Sequence, residues 1–156
     1  MNAREYFEQA SDAARDIRRC EETYKRLCAK ERLQAQRIDN MPRGNGHHDF
    51  TFVTDARLDF EASLPERLES DNAVISDAYA LLYGSDGKGG LYAIMGGVYA
   101  DILYMRYVEL MKWEKIAEYV FYTDRNCRLL ARKALDFIDE RGFAAIRRGG
   151  IPSRGV

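Results

Sequence analysis

The fold prediction starts from residues 113 to 138, which read WEKIAEYVFYTDRNCRLLARKALDFI. The first part places apolar residues on one side of a helix, at Trp113, Ile116, Ala117 and Val120. Thr123 is a residue type that caps helix N-termini, and an acid at position 124 suits the positive end of the helix dipole. A second helix therefore begins there, and the stretch predicts a helix-turn-helix.

The second helix has an apolar face and a polar face. Apolar residues recur every three or four positions and are expected to pack, at Cys127, Leu130, Ala131, Ala134, Leu135 and Ile138. The residues expected to point away from the core are Arg125, Arg128, Leu129, Arg132 and Lys133. Ala117 is the small residue where the two helices cross, and the expected core positions of the motif are Ile116, Val120, Tyr122, Cys127 and Leu130.

Phe121 is unusual for its position in the turn, which glycine commonly fills because its backbone adopts positive φ freely. A left-handed conformation costs a residue with a Cβ about 1–2 kcal/mol. The sequence therefore predicts a turn that is longer, differently shaped, or stabilised by packing of the Phe121 ring.

The cations of the second helix suggest a DNA-binding surface. In a helix-turn-helix the second helix enters the major groove and the first crosses the phosphate backbone. The candidate DNA-binding residues are Lys115, Thr123, Asp124, Arg125, Asn126, Arg128, Leu129, Arg132 and Lys133. Arg125 and Arg128 are the candidate base readers, since a guanidinium can bond guanine O6 and N7 together. Lys115, Thr123, Arg132 and Lys133 are candidate phosphate contacts. The alternative is a plain helical hairpin with a solvated cationic face.

A resemblance to a known family extends this prediction. Four segments, ILYMRYV from Ile102, WEKIA from Trp113, Tyr122-Thr123 and Lys133-Ala134-Leu135, resemble region 4 of bacterial sigma factors. More narrowly, the chain resembles the ArpU-like phage transcriptional regulators. The resemblance covers the C-terminal third well and the N-terminal helix only loosely. Phe121, Cys127 and the glycine-rich residues 84 to 90 depart from the family pattern.

The resemblance implies an N-terminal helical or coiled-coil segment, a sigma-region-4-like helix-turn-helix and control of phage late genes. It implies double-stranded DNA as a partner, and a contact with RNA polymerase. Two other classes stay open. A small terminase subunit for phage packaging also joins a helix-turn-helix to an oligomerising part, and a helical protein–protein interaction module would bind no nucleic acid.

Charge is distributed unevenly along the 156 residues, whose net charge is only −1. From Val98 onward there are eleven Lys/Arg against eight Asp/Glu, whereas residues 41 to 97 hold four against nine. A basic C-terminal part beside an acidic middle is typical of a protein that presents one end to phosphates.

The N-terminal segment predicts a long helix with a coiled-coil seam. Apolar residues alternate steps of four and three, at Tyr6, Ala10, Ala13, Ile17, Cys20, Tyr24 and Leu27. Because Glu31 falls on the next seam position, the stripe is expected to shift to Cys28, Ala35 and Ile38. Residues 41 to 46, MPRGNG, should end this helix.

A second helical stripe follows the break. It comprises Val53, Ala56, Phe60, Leu64, Leu68, Ile75, Ala78, Tyr79 and Leu82. Ser63 and Glu66 form a capping box, so a helix restart or kink is expected at Pro65. The two stripes would pair as antiparallel arms, or the first would pair with its copy in another chain to give a homodimer.

The remaining motifs favour no catalytic or cofactor site. Residues 83 to 90, YGSDGKGG, lack the glycine spacing of a phosphate loop and are interpreted as a mobile linker. His47-His48 has no Cys or His partner at a zinc-site spacing. Cys20, Cys28 and Cys127 form no CxxC pair and are expected to be reduced. We therefore expect no enzyme, no cofactor and no metal.

The predicted fold class is all-α. Residues 1–83 would form a helical hairpin or coiled-coil arm with a break near 40–50, and residues 84–90 the linker. Residues 91–145 would form the helix-turn-helix domain, and residues 146–156 a flexible basic tail. Neither a membrane-spanning run nor a signal-peptide core is visible, so a cytoplasmic location is expected.

Overall fold

The computed structural model of the protein describes residues 1–39 and 50–149. These residues form seven helices: α1 (Ala3–Asp39), α2 (Phe50–Tyr83), α3 (Gly90–Met95), α4 (Gly97–Tyr107), α5 (Trp113–Val120), α6 (Asp124–Arg141) and α7 (Phe143–Arg147). The two described ranges contain no strand, so the all-α prediction is confirmed. No described helix is both long enough and apolar enough to cross a membrane.

The chain divides into two compact units. Unit 1 consists of Met1–Arg15 together with the chain from Asp71 onward, and unit 2 is Asp16–Ser70. This division differs from the boundary expected near residue 83, because the ends of the two long helices belong to unit 1. Sequence periodicity places residues on a helix face, but it does not show which other elements that face contacts.

Unit 1 has a continuous apolar core. Side chains with no exposed surface come from both long helices and from every shorter helix, including Phe7, Leu81, Leu82, Leu91, Leu103, Ile116, Ile138 and Ile146. Two contacts hold the start of α1 in this unit. The Ala3 backbone N–H donates to Asp139 Oδ1 at 2.6 Å, and the Tyr6 hydroxyl donates to Asp77 Oδ2 at 2.5 Å. The first turn of α1 is therefore part of the same core as α6 and α7.

Residues 84 to 89 form a closed turn within unit 1, whereas the sequence predicted a mobile linker over 84–90. The Gly84 N–H donates to Ala80 O at 2.8 Å, and the Gly89 N–H donates to Tyr83 O at 2.7 Å. Gly90 is buried with φ +59°, and a Cβ there would lie 2.4 Å from Leu81 O. The glycines are required by close backbone packing between α2 and α3 rather than by flexibility.

In unit 2, polar contacts join the middle of α1 to α2. Arg67 Nε donates to Asp16 Oδ2 at 2.7 Å, the Tyr24 hydroxyl donates to Glu61 Oε1 at 2.5 Å, and Arg57 bonds Glu31. Later residues of α1 contact earlier residues of α2, so the two segments run in opposite directions. The hydrogen bond to Glu61 raises the pKa of Tyr24 to about 12.

The predicted seam of α1 is found at its early positions, and its predicted shift is found only in part. Cys20 is buried, and Ile17, Tyr24 and Leu27 are half-buried. Cys28 is half-buried, as the shift predicted, but Glu31 and Gln34 also point inward and Ala35 is exposed. The seam keeps its register because the Glu31 carboxylate pairs with Arg57 and does not need to turn toward water. The side chain of Ile38 lies outside the described residues.

A helix restart or a kink was predicted at Pro65. Because α2 runs through this position, the restart is wrong, and the kink stays a prediction. Ser63 does not cap a new helix. Its hydroxyl instead donates to Phe60 O at 2.8 Å, within the preceding turn. Pro65 lacks the N–H that would bond the Glu61 carbonyl, and packing of the flanking α2 residues against α1 stabilises the helix despite that loss. Tyr79, expected in the α2 stripe, is 43% exposed.

Two other predictions concern the ends of the described ranges. The expected break over residues 41 to 46, and His47-His48, lie outside the described residues. A flexible tail was predicted from residue 146 onward, but Ile146 and Arg147 lie in α7. Ile146 is buried in α7, and Arg147 Nη2 lies 2.6 Å from Asp77 Oδ2. Residues 150 to 156 lie outside the described ranges.

Candidate nucleic-acid interface

The candidate interface is built on α5 and α6, and α4 supports α5. Arg106 of α4 donates from Nη1 to Met111 O at 3.0 Å, and its guanidinium lies 4.9 Å from the ring centroid of Trp113. Trp113 begins α5 and is half-buried against the core. This cation–π contact fixes the start of α5. Sequence reasoning missed it, because six residues with no regular pattern lie between Arg106 and Trp113.

The turn between α5 and α6 has the geometry that glycine usually supplies. Phe121 adopts φ 60° and ψ 34°, the left-handed region. The Tyr122 N–H donates to Ala117 O at 3.2 Å and closes the end of α5. The Phe121 ring is 93% exposed, so packing of the ring does not stabilise the turn. Of the three predicted alternatives, none holds: the turn is tight and regular, and Phe121 adopts the strained conformation.

The strain at Phe121 leads to a stability prediction. Phe121→Gly should raise the free energy of unfolding of unit 1 by about 1 kcal/mol, because glycine adopts the left-handed conformation without a Cβ penalty. Urea unfolding followed by the fluorescence of Trp113, the single tryptophan of the chain, measures the change. The matched control is Tyr119→Gly at an exposed position inside α5, which should lower stability by about 1 kcal/mol. Destabilisation by Phe121→Gly would show that the ring has a stabilising contact.

Local contacts set the start of α6. Thr123 is extended, with φ −76° and ψ 154°, and its hydroxyl accepts from the Asn126 N–H at 3.2 Å. Asp124 lies in the first turn, as expected for the positive end of the helix dipole. The predicted N-cap is therefore confirmed, and it places the first turn of α6 directly after the tight turn at Phe121.

One face of α6 is buried as predicted. The buried residues are Cys127, Ala131, Ala134, Leu135 and Ile138, and Leu130 is partly buried. In α5, Ile116 is buried, while Trp113, Ala117 and Val120 are partly buried. Burial raises the pKa of the Cys127 thiol. Tyr122 was expected in the core, but it is 44% exposed, because the left-handed residue before it turns the chain outward.

The opposite side of α6 is exposed and positively charged. We call it the α6 cationic face and define it as Arg125, Arg128, Leu129, Arg132 and Lys133, all exposed. No ion pair to Arg125, Arg132 or Lys133 forms among the described residues. Asp136 follows one turn after Arg132, so the concentration of positive charge ends after the first three turns of α6. These three free cations are available to an anionic partner.

Arg128 differs from the other cations of this face. Its Nε donates to Asp124 Oδ1 at 2.7 Å, and its guanidinium lies 5.6 Å from the Trp113 ring centroid. The hydrogen bond to Asp124 raises the pKa of Arg128. Asp124 and Trp113 thus hold this guanidinium between α5 and α6. The sequence predicted that Arg125 and Arg128 both read bases. Of these two residues, only Arg125 has no acidic partner in the structure.

The remaining predicted site residues have different surroundings. Lys115 is exposed and lies 3.4 Å from Glu118, one turn later on α5. Asn126 is half-buried, and Leu129 is 46% exposed. The structure therefore brings Thr123, Asp124, Asn126 and the α6 cationic face together on the first turns of α6, and Lys115 lies on α5.

A second exposed feature of unit 1 was not predicted. A cleft of about 460 Å³ is lined by Tyr83, Val98, Asp101, Tyr104, Met105, Glu109, Tyr119, Val120 and Phe121. The Tyr83 hydroxyl donates to Asp101 Oδ1 at 2.6 Å, and burial raises the pKa of Tyr83. Since the lining includes two carboxylates and no Lys or Arg, this cleft is unsuited to phosphate.

Comparison of the chain with protein-family models, with curated proteins and with solved structures finds no match.

Proposed function

We propose that the protein binds double-stranded DNA in a sequence-specific manner, with α5 and α6 acting as a helix-turn-helix. The observation that carries this proposal is the combination of the tight left-handed turn at Phe121 with three unpaired, exposed cations on the first turns of α6. Such a motif places the N-terminal part of its second helix at base edges in the major groove.

The residues of the α6 cationic face have distinct roles in this proposal. Arg125 lies in the first turn of α6 and has no acidic partner, so its guanidinium is assigned to a base edge. Arg132 and Lys133 lie further along the helix and are assigned to phosphates, together with Lys115 of α5. Arg128 is oriented by Asp124 and Trp113, which reduces the entropy it loses when it contacts DNA.

Binding-site selection from random duplexes, followed by affinity measurements on the selected site, tests this function. Arg125→Ala should weaken the selected duplex by about 1–3 kcal/mol and relax sequence preference at one position. Lys133→Ala should weaken all duplexes alike and lower the slope of log affinity against log salt by about one. The different outcomes follow because base contacts carry sequence information and phosphate contacts do not.

Lys88→Ala is the matched control for Lys133→Ala. Lys88 is exposed in the turn between α2 and α3, also in unit 1, and removing it changes net charge by the same amount. An equal loss of affinity in both variants would overturn a role for the α6 cationic face. Failure to enrich any duplex would overturn the function itself.

Within this function, the resemblance to sigma region 4 and to ArpU-like regulators leads us to propose a phage-type transcription regulator. Occupancy of a promoter would be its mechanism, with α4 bracing the motif. A contact with RNA polymerase is a separate proposal that the resemblance implies, and no residue is assigned to it. A packaging protein would share the DNA contacts, and a ring-shaped oligomer would distinguish it from a regulator.

A further inference from the structure

In the described part of unit 2, apolar side chains are rarely buried completely. Among its described residues, Cys20 is the only fully buried apolar side chain. The large seam residues, such as Tyr24, Leu27 and Phe60, are only half-buried, and Leu58 is 48% exposed. Two helices share a single line of contact, so each long side chain keeps part of its surface exposed. A further layer of helices is the usual way to complete such a core.

Polar groups inside unit 2 set the pairing of its two segments but do not complete the core. Arg57 bonds both Glu31 and Glu61, the second at 2.9 Å. Side-chain oxygens of Gln34 and Thr54 are buried without a hydrogen-bond partner in the described residues. The contacts bring Arg57 to Glu31 and Tyr24 to Glu61, which sets the approximate level of the two segments along the pair.

One flank of unit 2 combines apolar residues with an open cleft. Cys28 and Ala35 each follow an inward-facing residue of α1, and they line a cleft of about 320 Å³ together with Glu31, Arg32 and Arg57. Leu58 follows Arg57 on α2. In an antiparallel pair, the positions that directly follow seam residues on both helices lie on the same side. Cys28, Ala35 and Leu58 therefore form an apolar strip, which we call the unit 2 flank.

Opposite charges border this flank on its two sides. On α1 the outer row is Arg18, Lys25 and Arg32, and on α2 it is Asp55, Ala62 and Glu69. The same asymmetry holds more widely, because residues 16 to 39 carry seven Lys/Arg against five acids and residues 50 to 70 carry two against five. Because Arg57 contacts Glu31, Arg32 and Asp55 lie at similar levels on opposite borders.

We propose that a second copy of this chain docks on the unit 2 flank to form a four-helix bundle. The two copies are related by a two-fold axis parallel to the helices, so that α1 of one copy lies over α2 of the other. This arrangement buries Cys28, Ala35 and Leu58 at the centre. It also places Arg32 of each copy opposite Asp55 of the other, whereas stacking α1 on α1 would oppose like charges.

Sedimentation of the full chain without DNA tests this proposal over a range of concentrations. The wild-type protein should dimerise reversibly. Leu58→Glu should raise the dimer dissociation constant at least about tenfold, because it places a carboxylate in the apolar strip. Leu33→Glu is the matched control. Leu33 is also an exposed leucine, at 58%, but lies on the other side of α1, so the same change there should leave the dissociation constant unaltered.

Charge reversal tests the geometry. Arg32→Glu and Asp55→Arg should each weaken the dimer about tenfold, and the double variant should recover to within about threefold of the wild type, because each opposed pair is restored with its signs exchanged. Because the four varied positions, Arg32, Leu33, Asp55 and Leu58, are all exposed, circular dichroism should show the helix content of the wild type in every variant.

A monomeric wild-type protein, or equal effects of Leu58→Glu and Leu33→Glu, would overturn the proposal, as would the absence of recovery in the double variant. These experiments contain no DNA, and the varied residues lie in unit 2. Loss of dimerisation and loss of DNA binding through α6 can therefore be told apart.

Discussion

Phe7→Ala is expected to lower the free energy of unfolding of unit 1 by about 3–5 kcal/mol. Phe7 has no exposed surface, and its ring lies 5.4 Å from that of Tyr107 and 5.3 Å from that of Tyr6. Removing the ring deletes apolar contacts and leaves a cavity that the surrounding helices fill only in part. Urea unfolding followed by Trp113 fluorescence should show a lower transition midpoint, because the tryptophan lies in the same unit.

Phe121→Ala provides the matched control, since the same atoms are removed from a ring that is 93% exposed. Both residues lie in unit 1, so the same fluorescence signal reports both variants. The control should change stability by less than about 0.5 kcal/mol. If Phe7→Ala were equally mild, the start of α1 would not be part of the core of unit 1.

Gly90→Ala is expected to destabilise unit 1 by about 2–5 kcal/mol, from two causes. Its φ of +59° is unfavourable for a residue with a Cβ, at a cost of about 1–2 kcal/mol. The added Cβ would also lie 2.4 Å from Leu81 O and 3.0 Å from the Gly84 nitrogen. Both of these are backbone atoms at the end of α2, so relieving the overlap requires displacement of α3 and costs about 1–3 kcal/mol more.

Gly142→Ala separates the two causes. Gly142 also has a positive φ, +82°, but nothing lies within 4 Å of an added Cβ. Because Gly142 has ψ 147°, a conformation almost confined to glycine, only a backbone cost of about 1–3 kcal/mol should appear in the same urea unfolding experiment. Equal losses for the two variants would show that α3 can move away from Leu81 at little cost, in contradiction to the close packing of residues 84 to 90.

Local features of this chain could be predicted from its sequence. The buried face of α6 and the cap at Thr123 follow from the spacing of apolar residues and from the residue type before the helix. The seam at Ile17, Cys20, Tyr24 and Leu27 follows from the same spacing. In each case, neighbours within a few turns determine the result, so a repeating pattern contains the necessary information.

Features that depend on distant residues could not be predicted. The expected shift at Glu31 is found only in part because Arg57, on the other helix, supplies a partner for the carboxylate. The expected restart at Pro65 was wrong because packing compensates for the missing hydrogen bond. At the candidate interface, Arg125 and Arg128 were predicted to have the same role, and the contacts of Arg128 with Asp124 and Trp113 distinguish them. The acidic cleft beside Phe121 draws on four separate segments, which no single periodicity connects.

The place of the first helical turn in the core of unit 1 affects how this protein is made. Ala3 bonds Asp139, a residue 136 positions later, and Phe7 shares a core with Ile138 and Ile146. At translation rates of about 5–20 residues per second, the phenyl ring of Phe7 waits roughly seven to thirty seconds for those partners to be synthesised. Unit 1 therefore cannot complete its core before α6 and α7 have been synthesised, and Phe7 stays exposed to chaperones and to aggregation during that time.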